Sequence, residues 1–148
     1  MIAKAYPQLK RPPSPFGAAF TAALTQRGTV PLPGIHEARI TKSSLIENNK
    51  GLRALLLVWA QAYQPEVETY WRVPQLIMFG QPGSEQRAKA IEMVRQLLWA
   101  SGYGGADPMI LSDKNLLGLR AGVVIGLAKL WGENGRIVPV VKGYRLRL

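Results

Sequence analysis

The stretch Ser84-Glu-Gln-Arg-Ala-Lys-Ala-Ile-Glu-Met-Val-Arg-Gln-Leu-Leu-Trp-Ala-Ser-Gly102 decides how the rest of the chain is read. Its apolar residues Ala88, Ile91, Val94, Leu97 and Leu98 recur at steps of three and four, one stripe of a helix with 3.6 residues per turn. Arg87, Lys89, Glu92, Arg95 and Gln96 fill the opposite face. Pro82-Gly83 stops whatever precedes, and the Ser84 hydroxyl can accept from a free N–H of the first turn. Glu85 suits the positive end of the helix dipole, and Gly102 can take the left-handed conformation that closes a helix. About three strand-like runs precede this helix and about two follow it.

Working outward, residues 52–61 are almost continuously apolar, the pattern of a strand buried on both faces. Arg53, Leu55, Leu57 and Trp59 share one of its faces. A first strand is predicted over 35–42, with Glu37, Arg39 and Thr41 on one face and His36, Ala38 and Ile40 on the other. A polar loop over 43–50 follows it. The third strand is predicted over 69–76, with Tyr70 and Arg72 on one face; Pro74 lacks a donor, so that end belongs at an edge or a bulge. After the helix come strands over 118–129 and 136–144, joined by a turn signal at Glu133-Asn134-Gly135. Three glycines in the fourth strand, Gly118, Gly122 and Gly126, read as the tight bends of a small barrel. Trp59 and Trp71 read as core, and Trp99 as packing over one barrel end.

Residues 1–15 form an extended arm, because Pro7, Pro12, Pro13 and Pro15 forbid helix and favour polyproline-like geometry. Phe16, Phe20 and Leu24 fall on one side of a short helical turn that docks the arm on its own domain or on a second copy. The boundary falls in the loop at 28–34. Residues 1–33 are therefore the arm and 34–148 the folded domain. The order three strands, helix, two strands predicts an all-β domain with one helix, a five-stranded OB-fold barrel whose helix lies between strands three and four.

The 148 residues suffice for one domain, and an apolar fraction of 47 % with 4 Trp argues for a packed core. Lys and Arg number 19 against 9 Asp and Glu, giving +10 and a pI near 10.3, the footprint of a protein that meets a polyanion. There is no Cys, so disulfides and Cys-based zinc sites are excluded and a reducing compartment fits. No apolar run spans a bilayer, and no secretory h-region follows Met1. Residues 1–36 carry basic residues Lys4, Lys10, Arg11 and Arg27 before any acid, as a mitochondrial transit peptide would, but six of the 11 prolines fall there and break the helix such peptides form. The cytoplasm is the expected location, with mitochondria the alternative.

Chemistry-bearing constellations are scarce. His36 is the single His, which leaves no triad and no His-based metal centre, and it reads as structural. The acids do not pair on one element. The chain therefore reads as a binder without cofactor or metal, not as an enzyme. Single-strand binders combine a positive groove with aromatic faces that receive unstacked bases. Strand residues Arg39, Arg53, Tyr70 and Arg72 could converge on such a surface. Lys42 and Lys50 flank the first loop, and Lys129, Trp131 and Arg136 flank the last. Trp131 has two readings, a stacking platform or a residue packed on the arm or on a neighbouring copy.

Gly34-Ile-His-Glu-Ala-Arg-Ile40, Lys50-Gly-Leu-Arg-Ala-Leu-Leu-Leu57 and Tyr70-Trp-Arg72 then carry a resemblance. Leu97-Leu-Trp-Ala-Ser-Gly102, Leu116-Leu-Gly118 and Val140-Val-Lys-Gly-Tyr144 complete it. In this order the chain resembles the OB-fold single-stranded-DNA-binding proteins encoded by bacteriophages. The resemblance implies sequence-tolerant binding of single-stranded DNA in replication or recombination, in the host cytoplasm. Many such proteins end in an acidic tail; this chain ends Arg145-Leu-Arg-Leu148. The alternatives are an assembly subunit of a larger nucleoprotein particle, whose arm holds a neighbouring copy, and an RNA-binding protein of the same fold.

Overall fold

The structure, a computed structural model, describes residues 6–24, 31–62, 71–103, 116–132 and 136–145. The predicted turn at 133–135 and Tyr70 lie outside them. The elements follow as α1 (Phe16–Leu24), β1 (Gly34–Glu47), β2 (Arg53–Gln61), β3 (Arg72–Met78), α2 (Glu85–Ala100), β4 (Arg120–Lys129) and β5 (Ile137–Arg145). Helix α2 starts and stops where its caps predict. Ser84 Oγ accepts from the Arg87 N–H at 3.1 Å, and Gly102 takes a φ of +93°. Strand β1 runs farther than expected, through residues read as a polar loop. Asn48 then turns the chain by accepting from the N–H groups of Lys50 and Leu52.

All five strands pair antiparallel in one sheet of order β3-β2-β1-β4-β5. This corrects the fold expected from the sequence. The sheet is open and does not close into a barrel, and two helices pack on it, so the domain is mixed α/β rather than an all-β OB barrel. The two unpaired edges are β3 and β5, and the ladders show which of their backbone groups face outward. The Phe79 N–H donates to Arg53 C=O, so alternation turns the backbone groups of Gln75 and Ile77 toward β2 and those of Pro74, Leu76 and Met78 outward. The Leu130 N–H donates to Arg136 C=O, which likewise turns Ile137, Pro139 and Val141 outward on β5. Each edge thus carries a proline at an outward position, where a third ladder would need a donor. Pro74 sits on an edge as its chemistry requires; Pro139 is the matching signal that the sequence reading passed over.

The sheet buries β2 on both faces for two different reasons. Leu55, Leu57 and Trp59 join Ala38, Ile40 and Val73 in the main core, closed by Val94, Leu97 and Leu98 of α2. On the other face, Phe20 and Leu24 of α1 form a second cluster with Val138, and Leu76 of β3 and Val140 of β5 pack against it. Helix α1 therefore lies across the outside of the β3–β5 gap. The arm before it is tied to β4 by a parallel bridge, with the Leu9 N–H on Lys129 C=O and the Lys129 N–H on Pro7 C=O, both at 2.8 Å.

Trp59 and Trp71 are buried as expected, but Trp99 is 56 % exposed. Of the β4 glycines, Gly126 has a different cause from the one expected. A Cβ at Gly126 would collide with the Lys142 stem, so this position leaves room for that side chain to lie across β4, whereas a Cβ at Gly122 would make only ordinary contact with Arg145.

Candidate functional site

Directly opposed residues share a sheet face, so the register places the cations without further assumption. Arg72 of β3 stands opposite Ala60 of β2, Ala60 opposite Arg39 of β1, and Arg39 opposite Arg120 of β4. Three arginines thus occupy one lateral row of four strands, roughly 14 Å across at the usual strand spacing. They lie on the face opposite the Ile40–Trp59–Val73 row of the core. The next row holds Glu37, Gly122 and Arg145. A bulge between Ile40 and Lys42 sets Lys42 opposite Val58, which brings it onto the arginine face; without the bulge it would point into the core. Lys142, lying over Gly126, extends the same face along β5. Glu37, exposed beside Gly122, is the acid of this patch, and Glu37, Arg72 and Arg120 each make further contacts of their own.

Of the residues singled out by sequence, Arg39, Lys42 and Arg72 come together here. Arg53 lies on the opposite face, 3.9 Å from Glu47, an exposed pair of little energetic weight. Lys50 sits in the β1–β2 turn. Lys129 is exposed at the end of β4, where its backbone holds the arm, and Arg136 is exposed just before β5. Trp131 is half-buried against Phe20, ring centroids 5.5 Å apart, which favours its packing role on the arm. Arg120, Lys142 and Arg145 were passed over. Alternation alone would have found Arg120, whereas Lys142 and Arg145 required the β4–β5 register and its bulge.

A second feature lies at the seam between β3 and β5. The Gln75 side chain, 6 % exposed, accepts from Trp59 Nε1–H at 2.9 Å and from the Tyr144 hydroxyl at 2.7 Å. This network joins the two edges through side chains where no ladder does. Burial pushes the Tyr144 hydroxyl well above the usual tyrosine range. Beside the network a cleft of about 340 Å³ opens between the edges, roofed by the arm and α1 and floored by α2.

His36 is structural, its Nε2 2.6 Å from Leu32 C=O and its ring edge-on to Trp71. Among the described residues no group of three or more His, Cys, Asp or Glu could hold a metal, and no helix is long and apolar enough to cross a membrane.

No protein-family model matches the chain, and no curated protein matches it. The resemblance to phage OB-fold single-stranded-DNA-binding proteins is also overturned, because its defining closed barrel is absent. The matched segments were degenerate strand, turn and helix-end signals, which other antiparallel sheets with a helix can share.

Proposed function

We propose that the Arg39 face of the sheet binds the phosphate backbone of single-stranded nucleic acid without sequence preference and without catalysis. The observation that supports this most is the lateral row Arg72–Ala60–Arg39–Arg120, extended by Lys42, Lys142 and Arg145. Arg39 and Arg120 stand directly opposite one another, which concentrates positive charge on this face. A polyanion laid across the row meets that charge, and the net charge of +10 draws one in. The reading is led by charge. Of the two stacking candidates, Trp131 packs on Phe20 of the arm and Tyr70 lies outside the described residues. The ground for preferring DNA over RNA was the resemblance, so both remain substrates of the proposal. A chain without Cys fits the reducing cytoplasm, where we place this binding.

The test is affinity for oligo(dT), oligo(rU) and a duplex of equal length, each at several salt concentrations. With about four phosphates neutralised, log K should fall with log salt at a slope near −3 on single strands. The Arg39→Ala, Lys42→Ala double variant should reduce that slope by about 1.4. A flat salt response, or tighter binding to the duplex, would remove the proposal.

A further inference from the structure

We propose that the cleft between β3 and β5 is a pocket for one unpaired nucleobase of a strand bound on the arginine face. This rests on the functional reading above and deepens it. A volume of about 340 Å³ suits a small heteroaromatic ligand.

The wall of the cleft decides the chemistry of its occupant. Leu76 and Met78 line it from β3 and Val141 from β5, and all three turn their backbone N–H and C=O groups away from their own ladders. An acyl chain would cover those groups and leave them without hydrogen-bond partners, which disfavours it. A planar base brings donors and acceptors on its edges and apolar faces for the rest. Those faces meet Phe20, Ile77 and Met93. Gln86 adds an amide, and Gly80 makes space for it: a Cβ there would stand 2.5 Å from Gln86 Oε1.

Charge agrees. The ionisable side chains lining the cleft are Lys10 of the arm and Lys89 of α2; Lys89 also reaches Glu85 at 3.5 Å. Two ammonium groups suit the phosphate attached to an inserted nucleotide. Continuity with the arginine face completes the case. Along β3, Arg72 precedes Pro74 at the cleft by two residues, roughly 7 Å. On β5, Lys142 adjoins Val141. A strand crossing the basic rows arrives at the cleft on either side. Only an unpaired base can leave the stack to enter, so the cleft selects single strands where the cations alone would accept any polyanion.

The experiment uses the full chain and three probes: dTMP, oligo(dT), and an abasic phosphodeoxyribose oligomer of equal length. On the proposal, dTMP shifts the amide resonances of Leu76, Met78 and Val141. The abasic oligomer binds about tenfold more weakly than oligo(dT), in line with the worth of one stacked base. The Lys10→Ala, Lys89→Ala variant, altered only at exposed positions, weakens dTMP binding. Equal binding of the abasic oligomer and oligo(dT), or no shift of those amides with dTMP, overturns the pocket and leaves the arginine face standing. Shifts with dTMP but no binding of oligo(dT) would sink the face and keep the pocket.

Discussion

Two joints hold this sheet, and they are built from different chemistry. Strands β1 and β4 meet through a continuous ladder from Gly34↔Ile125 to Arg39↔Arg120, continued by the Ile40 N–H on Leu119 C=O. Strands β3 and β5 meet through Gln75, Tyr144 and Trp59, with α1 laid across the outside. The first joint depends on backbone groups and tolerates almost any side chain that fits the pleat. The second depends on three side chains and two prolines. A joint made by side chains can leave space beside it, and the cleft occupies that space. The comparison also separates roles. The ladder joint carries the cations Arg39 and Arg120 on its outer face, while the side-chain joint carries the pocket.

The largest expected effect breaks the ladder joint. The Ala121 N–H faces β1, so Ala121→Pro removes a buried ladder bond and should cost about 3 kcal/mol or more in urea unfolding. The same replacement at Met78, whose N–H faces the open seam, should cost only about 1 kcal/mol. Equal costs would mean that β3 is not an edge. Next comes the side-chain joint. Gln75→Leu strands two buried donors, Trp59 Nε1–H and the Tyr144 hydroxyl, and should cost about 2–3 kcal/mol by the same measurement.

Tyr144→Phe removes one bond of that network and should cost about 1 kcal/mol. It also has a pH signature. Burial raises the folded pKa above the ordinary tyrosine value of 10.0, so the folded state holds the phenolic proton more tightly than the unfolded state. The native contribution is complete below pH 10 and is lost as pH rises beyond it. Stability measured from pH 9 to 11 should fall in the native protein by more than in Tyr144→Phe; parallel curves would contradict the assignment. The smallest effect sharpens the comparison. Pro74→Val with Pro139→Val restores two outward donors, one on each edge. Hydrogen exchange should then show new protected amides at 74 and 139, with a gain in stability of about 1 kcal/mol at most. Unprotected amides would show that something other than the prolines keeps the sheet open.

Much of the element order was legible. Periodicity and caps located α2 to within a residue or two, and the unbroken apolar run located β2, because both signals are local. Phe16, Phe20 and Leu24 were legible as a docking stripe. The candidate site was legible in part. Arg39 and Arg72 follow from alternation along their own strands, but Lys42 joins them through a bulge that leaves no mark in the sequence.

Composition and local pattern by themselves determined a basic, cysteine-free chain, one capped amphipathic helix, a doubly buried strand and a proline that had to sit at an edge or a bulge. Only the tertiary structure decided that the sheet stays open. Closure depends on which alternate backbone groups of β3 and β5 point outward, and that parity is set by the β2–β3 and β4–β5 registers, with the outward positions occupied by Pro74 and Pro139. It also decided which cations share a face. A one-residue shift in register sends a side chain to the other side of a sheet, so the basic row exists only once the strands have paired.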